Sequence, residues 1–187
     1  MTAGCGGWYV LPRELSLSTG GTLLQHPAVE LQQLRTGAAI TSTSHLAAGG
    51  QVEVLVRCTL PTVLPTEGIL AIKTLQTMNG SQSVTVGYDF THRNGSGVVG
   101  FASVPAVLGQ WGNTSRTDRT VTLQSVRGGG TVELHVFVDN QVIETFFAGE
   151  TTITTATSNA ISTDALSSSF VNTANLSCSV TSWGLSL

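Results

Sequence analysis

Thr131 to Thr155 reads TVELHVFVDNQVIETFFAGETTITT, and its alternation decides the fold class. Val132, Leu134, Val136 and Val138 alternate with Glu133, His135, Phe137 and Asp139, a period of two that belongs to a β-strand. Asn140-Gln141 suits a two-residue turn, since Asn tolerates a positive φ, and a second alternating run, Val142 to Phe147, comes back. With 140–141 as the loop, Asp139 faces Val142, Phe137 faces Glu144 and His135 faces Phe146. On the opposite side Val138 meets Ile143, Val136 meets Thr145 and Leu134 meets Phe147. This second face is almost wholly apolar and is expected between two sheets. The first mixes two carboxylates with two phenylalanines, which is odd for plain solvent surface and natural for a docking surface. On it Asp139 and Glu144 are diagonal neighbours, roughly 7–8 Å apart at the backbone.

Outward from the hairpin the chain holds more strand candidates. Gln51 to Leu60 places Val52, Val54, Val56 and Cys58 on one face. Glu67 to Gln76 and Gln82 to Thr91 follow, with the turn dipeptide Asn79-Gly80 between them. Val98 to Val104 and Thr120 to Val126 are two further candidates, although 97–119 as a whole also reads as a long loop. Leu176 to Leu187 is a last strand carrying Trp183. Residues 157–175 read as a low-complexity Ser/Thr/Asn/Ala loop, and Glu30 to Arg35 as one short turn of helix or an irregular edge. Short strands at this spacing, with no helix of convincing length, mean an all-β sandwich or barrel.

Composition narrows the function classes. The 187 residues make one domain by size, enough to bury a real core. Only 10 % are charged, against about 25 % in an ordinary domain. The net charge of −3, with no basic run, argues against nucleic acid as a partner. No apolar stretch approaches the roughly 20 residues of a membrane helix, and MTAGCGGWYV has neither the charged nor the apolar region of a signal peptide. Sequons at Asn79, Asn94, Asn113 and Asn175 give the chain a secreted character nonetheless. Cys5, Cys58 and Cys178 fit no zinc spacing. Cys58 and Cys178 lie in two strand candidates, so a disulfide between them and a pair of buried thiols are both open readings. His26, His45, His92 and His135 show no spacing for metal ligation or a triad. Gly128-Gly129-Gly130 precedes a strand, so it is a turn and not a phosphate cradle.

The hairpin resembles the one near the end of the β-fructosidases of glycoside hydrolase family 32, through Asp139, Glu144, Phe146 and Gly149. A second stretch in the family's order supports the resemblance. Leu11, Pro12, Arg13, Glu14 and Leu15 match the strand that enters the family's C-terminal module. Leu23, Gln25, Pro27, Glu30, Leu31, Leu34 and Arg35 match the pattern that follows it, and Asp118-Arg119-Thr120 is similar to the family's Asp-Arg-Ser run. The resemblance implies a two-sheet antiparallel sandwich of the concanavalin-like, lectin-like jelly-roll type over residues 1–187, with 1–12 ending an inter-domain linker and opening the first strand. It also implies a parent reaction, hydrolysis or transfer of a terminal β-fructosyl unit, with no metal and no cofactor. The family's acidic catalytic residues sit in an N-terminal five-bladed propeller, in Asp-Pro and Glu-Cys motifs, and neither dipeptide occurs here.

A glycosidase needs two carboxylates, about 5–5.5 Å apart in retaining enzymes, and Asp139 with Glu144 invites that reading. A hairpin face is flat, however, and a polar pair on it is more often structural. The expectation is therefore a non-catalytic module that packs on a propeller, stabilises it and contributes to homo-oligomer contacts. The propeller-facing surface is expected at Phe137, Asp139, Glu144 and Phe146, with Arg13 and Glu14 from the entry strand. The alternative is a free-standing lectin-like module binding fructan or a sucrose-type carbohydrate, with Trp111 in its loop as the candidate sugar contact. Trp8 and Trp183 are expected in packing. The parent protein is expected in the extracellular space, the secretory pathway or the vacuole, and the chain itself to be a truncated gene model or a dissected domain.

Overall fold

The structure, a computed structural model, describes residues 10–76, 83–94, 97–104, 117–157 and 167–186. Two antiparallel sheets pack face to face. The larger holds β3 (Arg35–Thr41), β4 (Gln51–Thr59), β9 (Thr131–Asp139), β10 (Val142–Phe147), β11 (Thr151–Ala156) and β13 (Ser177–Leu185), in the order β11-β10-β9-β4-β13-β3. The smaller holds β5 (Ile69–Gln76), β6 (Val84–Asn94), β7 (Gly97–Val104), β8 (Thr117–Leu123) and β12 (Ser167–Asn172), in the order β12-β5-β6-β7-β8. A separate hairpin, β1 (Arg13–Leu17) with β2 (Leu23–Pro27), and a 3-10 helix, Val29–Leu34, come before them.

The deciding hairpin has the expected register. Val142 pairs with Asp139, Glu144 with Phe137, Phe146 with His135 and Phe147 with Leu134. Asn140 takes a φ of 50° in the turn. Val52, Val54 and Val56 of β4 join Leu134, Val136, Val138, Ile143 and Phe147 on the inner face. They meet Leu70, Ile72, Val86, Tyr88, Phe90 and Leu123 of the smaller sheet in one core. Tyr88 joins the layers: its ring stands edge-on to Phe147, centroids 5.5 Å apart. Its hydroxyl, which would be costly to bury unpaired, donates to the Glu133 carbonyl at 2.5 Å. Of the two readings of the cysteines, the disulfide holds. Cys58 and Cys178 face each other in the β4–β13 ladder and are bonded.

The structure corrects several expectations. Both ends of the stretch 97–119, read as a long loop, are strand: Gly97–Val104 is β7, and Thr117–Leu123 is β8, which takes in Asp118-Arg119-Thr120. The apolar inner positions Val98, Ala102 and Val104 are buried, and the interspersed Gly and Ser hide the period. The low-complexity stretch 157–175 contains β12, an edge strand paired with β5. β3, RTGAAIT, carries too few apolar residues to announce itself, and it is held by its ladder with β13. Asn79-Gly80 and most of the loop that carries Trp111 lie outside the described residues, as do Cys5 and Trp8.

Candidate functional site

The outer face of the larger sheet concentrates the charged and aromatic side chains. Strand registers set Trp183, Glu53, Phe137 and Glu144 side by side across β13, β4, β9 and β10. The next row is Leu55, His135 and Phe146. Two carboxylates thus flank one phenylalanine on a pleated surface.

This face is not open. Residues 11–35 lie across it. Leu31 joins Phe137 and Phe146 in a second small apolar cluster, with Leu11, Leu34 and Leu185 packed around it. At one end of the cover the Arg13 guanidinium grips Glu144. Nε donates at 3.1 Å and Nη2 forms the ion pair with the same oxygen. The Leu11 backbone N–H donates to the other oxygen at 2.7 Å. Arg13 also donates to Gln25 at 2.9 Å and stacks over Phe146, 5.7 Å from its centroid. At the other end Arg35 binds Glu53 through both Nε and Nη2, at 2.7 and 2.6 Å. That two-pronged geometry suits a planar guanidinium and no other cation. Arg35 in turn lies 3.8 Å over the Trp183 ring. His135 Nε2 adds a third contact to Glu53 at 2.7 Å, with its ring tilted on Phe137.

Burial works against Glu53's charge and would raise its pKa. Hydrogen bonds and charge from Arg35 and His135 outweigh that, holding the carboxyl below the ordinary value. Both carboxylates are almost completely enclosed, Glu53 at 1 % and Glu144 at 2 % exposure.

The expected docking surface is therefore corrected. Phe137, Glu144 and Phe146 are buried by the chain's own residues 11–35, because two phenylalanines and a carboxylate left bare on a sheet would be covered by the nearest apolar segment able to neutralise the charge. Arg13 is the residue that does so. Glu14 accepts a 3.3 Å bond from the Val29 N–H and stays exposed. Asp139 sits exposed at the hairpin end, bonded by Gln51 and Asn140 at 3.0 Å each. Asp139 is thus exposed while Glu144 is buried beneath Arg13 and Leu11. Trp183 is half-buried under Arg35. Trp111, the candidate sugar contact, lies outside the described residues.

Sequence reasoning missed Glu53 and its partners Arg35 and His135. The available signal was Glu53 itself, the one acid among the outward positions Gln51, Glu53, Leu55, Arg57 and Thr59 of a strand whose other face is apolar. Among the described residues no group of three or more His, Cys, Asp or Glu could hold a metal.

The chain resembles known proteins in sequence pattern and in fold. Residues 22–183 match the family described as "Glycosyl hydrolases family 32 C terminal". No curated protein matches. An exo-inulinase from Aspergillus awamori is similar in structure, with a TM-score of 0.70 and 20 % identity over 95 % of this chain and 35 % of that one. Fructan 1-exohydrolase IIa from Cichorium intybus gives 0.66 and 17 %, over 94 % of this chain and 40 % of the other. Sucrose-6-phosphate hydrolase from Lactobacillus gasseri gives 0.65 and 16 %, over 93 % and 33 %. The chain thus spans about a third to two fifths of these relatives.

Proposed function

Since the chain belongs to the C-terminal family of the family 32 glycosyl hydrolases, we propose that it is a non-catalytic module which packs on a catalytic β-propeller and stabilises it. The observation that carries this reading is the family match over residues 22–183, in a chain that spans only about a third to two fifths of its structural relatives. The chemistry of the sandwich agrees. Glu53 and Glu144 are each closed by an arginine and buried, so neither is free to protonate a leaving group or attack a sugar. For the parent protein we propose hydrolysis of terminal fructosyl units, in keeping with relatives named as a fructan exohydrolase and an exo-inulinase.

The same reading places the protein in an oxidising compartment, such as the extracellular space or the secretory pathway. The Cys58–Cys178 bond supports this, as does the sequon Asn175-Leu176-Ser177, whose Asn is exposed in a tight turn. The test is to add the purified chain to a family 32 catalytic domain from the same source. The expected result is a complex and a higher thermal midpoint for the catalytic domain. No complex, and no rise in midpoint, would overturn the reading.

A further inference from the structure

Resting on the oxidising compartment proposed above, we infer that Asn175 carries an N-linked oligosaccharide, and that its first sugars lie in the uncovered groove over β9, β4 and β13. The ligand of this groove is thus carbohydrate, attached covalently at its rim.

The chain around Asn175 leaves it free for modification. It opens the sequon Asn175-Leu176-Ser177, and of the four sequon asparagines it is the one whose side chain lies among the described residues. Its φ of 54° lifts it out of line just before β13, a backbone state that Asn adopts more readily than most residues. The turn is closed by a different asparagine. Asn172 Nδ2 donates to the Leu176 carbonyl at 2.8 Å, and its Oδ1 accepts from the Leu176 N–H at 3.1 Å. The Asn175 side-chain amide is exposed and makes no hydrogen bond among the described residues. Leu176 is buried in the core, while Asn175 and Ser177 on either side of it face solvent.

The donor for such a step is an oligosaccharide carried on a lipid diphosphate. The Asn175 side-chain nitrogen bonds the anomeric carbon of the donor's first sugar while the carbon–oxygen bond to the diphosphate breaks. The diphosphate leaves with the electron pair, and the amide gives up one proton. The product is a bulky, hydrophilic group that only a surface position can carry.

The groove begins where the cover over the larger sheet ends. Beyond the rows of Glu53 and His135, two further rows follow on the same face: Glu133, Arg57 and Ser179, then Thr131, Thr59 and Ser177. These residues line a cavity of about 420 Å³, within the range of small-ligand sites. Their outward side chains are four hydroxyls, one carboxylate and one guanidinium. Arg57 Nε donates to Glu133 Oε2 at 2.8 Å, which leaves Glu133 Oε1 and the terminal nitrogens of Arg57 for sugar hydroxyls and an acetamido carbonyl. Both side chains are accessible, at 63 % and 32 % exposure. An apolar occupant would strand this ion pair out of water, whereas a sugar replaces water's hydrogen bonds.

Position selects the occupant. Asn175 stands two residues before Ser177, at most about 7 Å of extended chain, so a sugar on Asn175 starts at the rim of the groove. A tethered ligand acts at a high effective concentration. Contacts too weak to hold a free sugar are then enough to seat an attached one.

Peptide mapping of the protein isolated from its own source reads both the mass at Asn175 and the state of Cys58 and Cys178. The expected result is a glycan on Asn175 and an intact disulfide. Thermal midpoints of the protein secreted from a eukaryotic host and glycosylated at Asn175 then test the groove. The parent should melt about 3 °C above Asn175→Gln, the scale of one moderate contact in a domain of this size. In the Arg57→Ala/Glu133→Ala background, which keeps the glycan, that difference should vanish. Thr59→Val/Ser179→Ala takes the place of that background if it does not fold. A bare Asn175 in a protein whose disulfide is formed would overturn the inference and leave the compartment standing. A bare Asn175 with both cysteines as thiols would overturn the compartment as well. A glycan that raises the midpoint equally in both backgrounds, or in neither, would overturn the groove as its seat.

Discussion

Glu53 shows how the cover over the sheet is held, because its charge survives burial only through its partners. A carboxyl whose pKa is depressed in the folded state contributes stability above its unfolded value, and loses that contribution as pH falls through the folded value. Glu53 is such a group, lowered from an ordinary 4.5. Stability should therefore be fully supported above that value and fall as acid is added below it. The Glu53→Gln variant should show a flatter acid limb in urea midpoints measured from pH 6 downward; an unchanged slope would remove Glu53 from the account. Arg13→Ala tests the other clamp, since it leaves Glu144 buried and unpaired. The cost should be about 3 kcal/mol, the low end for a broken buried pair, because Arg13 itself is partly exposed. Residues of this kind are only half legible in a sequence. The alternation put Glu144 beside Phe137 and Phe146, but the arginine that neutralises it lies 131 residues away. No local pattern connects them. The mixed character of the face was readable, and the identity of what covers it was not.

At the scale of elements, the β9–β10 hairpin was legible to the residue because a period of two and a two-residue turn fix every pair. Phe147 is the position that depends most on that register. It fills the space between the sheets against Tyr88, and Phe147→Ala should lower stability by about 3–5 kcal/mol, read from chemical denaturation. A midpoint that barely moves would mean the side chain does not fill the core. The turn that follows is sharper. Ala148 and Gly149 both take positive φ, and a Cβ on Gly149 would run into the His26 ring. β2 therefore docks where only glycine lets it approach. β3 and β12 were not legible because they are edge strands, made by their neighbours more than by their own apolar content. Replacing both Cys58 and Cys178 with serine frees β13 from β4 in the unfolded chain across a separation of 120 residues. The expected loss is about 3–5 kcal/mol, visible as a lower urea midpoint that matches that of the reduced parent.

For the whole molecule, the sandwich and its family were readable from two stretches, and the closed outer face was not. Sequence pattern shows which residues share a face of a strand; whether that face meets water depends on a segment arriving from elsewhere. With both sheet-face carboxylates sealed, the isolated chain should release no fructose from sucrose, inulin or levan. Sustained release that disappears in Glu144→Gln would restore the hairpin carboxylates as a catalytic pair.

The strand order also sets a sequence of events in time. β5 to β8 are neighbours in the sheet in the order in which they are made, and can assemble as soon as they leave the ribosome. β4 has no such partners: it waits for β9, about 80 residues on, and for β13, about 120 residues on. Until the last strand emerges, β3 has no ladder to join, Cys58 has no sulfur to meet, and Arg35 lacks the Trp183 ring it lies on. β3, made early, is thus among the last strands to settle, and a nascent chain stalled before residue 177 would hold one finished sheet and one unfinished one.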